Sequence, residues 1–245
     1  MKRRGHNTAI IGERTRQQIL DVAERLFAEH GPEEVSIRAI AAAADTNLGS
    51  VNYHFGSKEK LFEEIFRRRV VPLNEQRLIR LDAAEAEAGH GRSPPLESII
   101  EALVSPPLRL AAEAAGNARA MVVMQFLSHA FSSPNETAFL EKYYEPVRSR
   151  FIGALARALP HLSLNEVIWR YNFVIGAIIY AMGGPSRMTR PPKGLQGKHK
   201  AQRVSGDQAI RELVAYAAAG FRAAAALSES RGPGRAAGPA RRTQR

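Results

Sequence analysis

The sequence contains no cysteine. Disulfide scaffolds, thiolate zinc sites and thiol nucleophiles are thereby excluded, and the absence suits a reducing compartment. Long apolar runs are missing too. The longest, Phe173–Met182, is about half of the roughly 20 residues a membrane-spanning helix needs. Arg170 and Asn172 stand just before it, so a buried helix is expected and no membrane association. The basic N-terminus, MKRRGHNTAIIGERTRQQ, is followed by no apolar core, so no secretory signal is expected. There is no glycine-rich phosphate loop, HExxH, GxSxG or paired-carboxylate constellation. The seven histidines lack metal-ligand spacing. No catalytic residue, metal or cofactor is expected, and the expected location is the cytoplasm.

What is present is basic charge, unevenly placed. The chain of 245 residues carries a formal charge of +11. Residues 1–18 hold +4, residues 187–203 hold +6 and residues 231–245 hold +5, which leaves the remainder at −4. An arm, a loop and a tail are therefore basic, on a slightly acidic body. Nucleic acid is the natural partner of such segments, with solubility alone as the alternative.

Apolar residues recur at helical spacing almost throughout, and strand-like alternation is rare, so an all-α fold is expected. Ile19, Val22, Ala23, Leu26 and Phe27 form one stripe over 15–30, closed by Gly31-Pro32. Ser36 can cap a short helix bearing Ile37, Ile40 and Ala41. Asp45 stands where a tight turn needs a residue tolerant of the left-handed region. Asn47 can cap a second short helix with Leu48 and Val51 inward. Ser57 can cap a longer one with Leu61, Phe62, Ile65 and Phe66, which Pro72 is expected to kink or end. The charged stretch 82–92 and Ser93-Pro94-Pro95 read as a connection. Further helices are expected at about 96–115, 118–132, 135–159, 163–182 and 207–228, with a kink at Pro146 and ends uncertain by about 2–4 residues.

The domain reading is a flexible basic arm at 1–12, a helix-turn-helix domain at 13–71, and a helical effector-binding and dimerisation bundle at 72–228. Within the bundle, 183–206 reads as a mobile basic loop. Residues 229–245 read as a disordered tail.

Residues 36–55, SIRAIAAAADTNLGSVNYHF, read as a helix-turn-helix. Ala41 to Ala44 are small enough for the two helices to approach closely. The second helix projects Asn47, Gly49, Ser50, Asn52 and Tyr53 from its first turns, a geometry suited to the major groove. Gly49 and Ser50 allow close approach, Asn52 can bond adenine bidentately, and Tyr53 can reach a thymine methyl or a phosphate. His54, Ser57 and Lys58 follow at a helix start able to hold a phosphate. A plain helical bundle, with Asn, Tyr and His capping or packing, is the alternative. Residues 1–71 carry only +2, so binding would rest on a few placed contacts.

Residues 14–70, with ILDVAERLFAEHG, SIRAIAAAA and VNYHFGSKEKLF, resemble the TetR family of repressors. The resemblance implies that Asn47–His54 is the recognition helix, and that Ser36, Tyr53, His54 and Lys58 match phosphate- or base-contacting positions. The turn departs from the family's frequent Gly-Val, carrying Asp45-Thr46. NLGSVNYHFGSKEKL with EVIWRYNFVIGAIIYAMGG is similar to PsrA-type regulators, which implies a fatty-acid or acyl-CoA effector.

In the second domain, the faces bearing Phe173, Gly176 and Ala177 on one helix, and Leu213, Ala217 and Phe221 on the last, are candidate dimer surfaces. The alternative is burial within one subunit. Dimerisation through the last two long helices is what the resemblance implies. Met121, Met124, Gln125 and His129, facing Trp169, Asn172 and Tyr180, are candidate pocket residues, with ordinary core packing as the alternative. The expected function is a sequence-specific transcriptional regulator, a homodimeric repressor released from double-stranded operator DNA by an apolar or amphipathic small molecule. The alternatives are a non-specific architectural nucleic-acid-binding protein, or an activator without effector.

Overall fold

The computed structural model describes residues 3–114, 116–132, 137–182, 192, 194 and 205–224. Nine helices carry the described residues, and no strand is among them. The basic tail 229–245 and nearly all of the basic loop 183–206 lie outside the described residues.

Helices α1 (Arg3–His30), α2 (Ile37–Ala43) and α3 (Leu48–Phe55) form the N-terminal unit. The local chemistry explains each boundary. Gly31, at φ +81°, takes the left-handed conformation that closes α1. Ser36, Asn47 and Ser57 are N-caps, and their side-chain oxygens accept from the backbone N–H groups of Ala39, Ser50 and Lys60. Asp45 lies at φ +46° and is the one non-glycine residue with positive φ among the described residues. That is the turn expected of it. Two expectations fail here. Residues 3–12 continue α1 rather than forming a flexible arm. Leu48 is 39% exposed rather than inward, because α3 buries only Val51 and Phe55.

Helix α4 (Lys58–Ala88) runs unbroken through Pro72. The expectation that Pro72 ends it is therefore corrected, and residues 82–88 belong to the helix, so the expected connection begins only at Gly89. Beyond the proline, Leu73, Asn74, Arg77, Leu81 and Ala84 are all buried. This packing outweighs the lost helical hydrogen bond, whose cost is about 3 kcal/mol. The charges of the 82–92 stretch hold a neighbour: Glu85 pairs with Arg150 and Arg157, and Asp82 also pairs with Arg150.

Around α4 stand α5 (Leu96–Ala114), α6 (Ala118–Ser132), α7 (Thr137–Ala158), α8 (Leu164–Met182) and α9 (Gly206–Arg222). Helix α5 is apolar almost all round and lies at the centre, touching α4, α6, α7, α8 and α9. α9 lies so close to it that a Cβ at Gly206 would stand 2.9 Å from the Ala112 methyl. Arg170 of α8 donates to the carbonyls of Gly220, Phe221 and Ala223 at the end of α9. The N-terminal unit is joined to the bundle through aromatic rings. Phe27 of α1 meets Phe62 of α4 at 5.3 Å, and Phe62 meets Phe126 of α6 at 4.9 Å.

Candidate nucleic-acid interface and internal cavity

Helix α3 is held from below and bare above. Val51 and Phe55 enter the core, while Asn47, Leu48, Gly49, Asn52 and Tyr53 face outward. Tyr53 is 86% exposed. Its ring meets His54 edge-on at 5.2 Å, which stiffens the pair without covering it. Asn47 spends its Oδ1 on the Ser50 N–H at 2.7 Å. A Cβ at position 49 would crowd that oxygen at 3.1 Å, so Gly49 suits both the cap and a flat outer surface. Lys58 donates to the Pro32 carbonyl at 2.9 Å, tying α4 to the end of α1. Arg38 of α2 and Lys60 of α4 are exposed, and neither is in an ion pair among the described residues. The sequence pattern did not single them out, because they lie outside the capped turn.

Several arginines at the seam of α1 and α4 are consumed internally. The Glu24 carboxylate, 3% exposed, sits between Arg68 and Arg69, with contacts of 2.6 Å to each. Arg68 also reaches Asp21. Arg16 and Arg67 both donate to Glu64 and hold its carboxyl down at about 2. These pairs fasten α1 to α4 and contribute little outward field.

A cavity of about 410 Å³ lies between α4, α5, α7 and α8, within the usual range for small-molecule sites. Leu73, Phe131, Ile175, Ile178, Ile179 and Met182 give it apolar walls, and Arg77, Tyr144, Arg148, Tyr171 and Asn172 add polar groups. Burial pushes the Tyr171 phenol up to about 12 and the Tyr144 phenol upward as well, so both stay protonated. Arg77 has a structural cause for its position. Pro107 cannot donate to the Leu103 carbonyl four residues back, and Arg77 Nε supplies that donor at 3.0 Å. Asn74 donates to the Tyr143 carbonyl at 2.9 Å, in the turn before Pro146, and accepts from Arg77 Nη1 at 3.0 Å. Arg77 thus supplies the donor that Pro107 lacks, and Asn74 ties α4 to the backbone of α7.

Comparison with known proteins places this architecture. The family description "Bacterial regulatory proteins, tetR family" matches residues 19–65. The description "Tetracyclin repressor-like, C-terminal domain" matches residues 101–220. The chain belongs to the TetR family. Its similarity to curated members is concentrated in the N-terminal unit. It is 45% identical over 53 residues to the transcriptional repressor AcnR of Corynebacterium efficiens, covering 22% of this chain and 28% of that protein. It is 46% identical over 52 residues to the repressor KstR2 of Rhodococcus jostii, covering 21% and 26%. These matches span about a quarter of the relatives' length. Among solved structures, NalD of Pseudomonas aeruginosa, a secondary repressor of a multidrug efflux pump, aligns with TM-score 0.53 and 20% identity. The alignment covers 85% of this chain and 97% of NalD. A TetR-family regulator from Bordetella parapertussis aligns with TM-score 0.53 and 18% identity over 82% and 93%. At these identities the likeness is one of fold.

Within this TetR-family chain, Ser36, Asn47, Gly49, Ser50, Asn52, Tyr53, His54 and Lys58 do gather at one end, on α2, α3 and the start of α4. Of these, Ser36 and Asn47 act as caps and Lys58 braces a loop. The expected pocket residues do not gather. Only Asn172 lines the cavity. Met124 is buried elsewhere in the core. Met121, Gln125 and His129 lie on the outer side of α6, where the His129 ring faces Gly31. Trp169 and Tyr180 point outward from α8. The residues that do line the cavity, Arg77 and Tyr144 above all, lay on segments whose inward face periodicity alone left undecided.

The candidate dimer residues divide. Phe173 and Gly176 are exposed, and Ala177 is half-buried beside them. With Trp169 and Tyr180 they make an uncharged stripe down α8. Leu213, Ala217 and Phe221 are buried in the protomer's own core, where α9 packs on α5. That correction moves the free face of α9 to Ala215, Tyr216 and Ala219, with Tyr216 76% exposed.

Proposed function

We propose that this protein is a sequence-specific DNA-binding transcriptional regulator. It acts as a homodimeric repressor that a small apolar or amphipathic molecule releases from its operator. The observation that carries the reading is α3 itself: doubly capped, supported by two buried residues, and presenting Asn52 and Tyr53 to solvent with no protein partner over them. A helix so mounted enters the major groove and reads base edges. Arg38 and Lys60 flank it as phosphate contacts. Two-fold symmetry would come from the α8 stripe and the outer face of α9, closed against their copies as a four-helix interface.

The cavity supports the effector half of the reading. It abuts α4, the helix whose start adjoins α3, so a molecule that fits one tilt of α4 better than another shifts operator affinity. Fatty acids and their acyl-CoA esters are the candidate effector class. The site of action is the cytoplasm, where the DNA is.

Selection of bound fragments from genomic DNA, followed by competition against random duplex, tests the reading. A regulator prefers its own site by about a thousandfold or more. Equal retention of any duplex would instead mark an architectural protein.

A further inference from the structure

The cavity wall holds a buried cation that no carboxylate among the described residues answers. Arg77 is 4% exposed and lines the wall. Its partners are the Leu103 carbonyl, Asn74 Oδ1 and the Tyr144 ring, whose centroid lies 6.0 Å from the guanidinium carbon, and none of them carries a charge. Among the described residues no carboxylate is in an ion pair with it. The two acids of the cavity, Glu141 and Glu145, are exposed at its edge, and Glu145 is engaged by Arg148 and Ser149. Tyr144 and Tyr171 remain phenols and bring hydroxyls but no charge. A guanidinium cannot shed its proton, and a buried cation without a counter-charge is costly. The half-buried arginines between α1 and α4, by contrast, each answer a carboxylate: Arg16 with Glu64, Arg68 and Arg69 with Glu24. Leu73, Phe131 and the isoleucines of α8 give the cavity its apolar lining.

We infer that the cavity takes an amphipathic monoanion whose carboxylate pairs with Arg77 and whose hydrocarbon part lies along Ile175, Ile178 and Ile179. The inference rests on the reading of the cavity as the effector site and narrows it. An ester or thioester of the same acid has lost the charge at the acyl carbonyl, and the negative charges of an acyl-CoA lie on phosphates remote from it, so the free acid is the matching species. Size agrees, since a cavity of about 410 Å³ suits a compact ligand.

Calorimetric titration of the full chain with decanoate, decanol and methyl decanoate, each below its aggregation limit, provides the test. Decanoate is expected to bind tighter than either neutral probe by about tenfold or more, the size of a charge-assisted contact. In Arg77→Gln the preference disappears while decanol binding persists. In Arg148→Gln, which alters the other cation of the wall, the acid-over-alcohol preference survives. That variant and the wild-type series decide the matter even if Arg77→Gln does not fold. Equal binding of acid and alcohol by the wild type, or a preference lost with Arg148 rather than Arg77, overturns the inference and leaves the effector cavity standing. Failure of all three probes to bind overturns both.

Discussion

Asp45 holds a backbone conformation, φ +46°, that a β-branched residue adopts at a cost of about 1–2 kcal/mol. Asp45→Val is therefore expected to lower stability by that amount in denaturant unfolding, while Asp45→Gly leaves it nearly unchanged. Tyr53 is the opposite case. Being 86% exposed, it contributes almost nothing to folding, so Tyr53→Ala should keep the melting temperature and lose specific operator binding in a gel shift. Glu64 makes a third test. Its folded carboxyl is held at about 2 by Arg67 and Arg16, below its ordinary 4.5. The unfolded chain thus binds the proton more readily. Glu64 stabilises the fold fully above pH 4.5 and loses that contribution as pH falls toward 2. Glu64→Gln should lower the melting temperature at pH 7 and flatten its dependence in that acid window. At this scale the sequence was legible wherever a role is local. Ser36, Asn47, Ser57 and Asp45 sit as their chemistry demands. Lys58 was not legible, since its partner, the Pro32 carbonyl, lies 26 residues away.

Among the elements, helix positions followed from periodicity, but the effect of each proline did not. Pro72 was expected to end or kink a helix, yet α4 continues because buried residues on both sides of it find packing partners. Pro106 and Pro107 stand inside α5, and a carbonyl freed there is repaid by Arg77 from a different helix. Such repairs join distant segments and leave no trace in local pattern. The N-terminal extension was misjudged for a related reason. Its polar and basic composition suits an arm, but it continues an already nucleated helix. Deleting residues 1–12 should still weaken DNA binding and reduce the slope of log affinity against log salt, because its cations neutralise phosphates. An unchanged slope would show that the extension stays clear of DNA.

At the level of the whole molecule, the faces of α8 and α9 assign different duties to similar side chains. Phe173 is 65% exposed and Leu213 is buried, although both lie on apolar stripes. Sequence periodicity marks a stripe but cannot say whether a neighbour in the same chain already covers it. Phe173→Arg is thus expected to yield monomers in sedimentation with the melting temperature nearly kept, and to weaken operator binding. Leu213→Ala is expected to cost about 2–5 kcal/mol of subunit stability through a core cavity. The same ambiguity hid the cavity wall, where only Asn172 had been placed from the sequence.

On the proposed function, the uninterrupted course of α4 sets how far a ligand in the cavity would move α3. From Arg77 in the cavity wall to Lys58 beside α3 is 19 residues on one helix, or about 28 Å at about 1.5 Å per residue. A swing of about 5° pivoting near Arg77 carries the far end by about 2.5 Å, and the two-fold mate by as much again, against a half-site repeat of about 34–36 Å. On that proposal, a ligand too small to alter the outline of the bundle would put a pair of reading heads out of step with the groove.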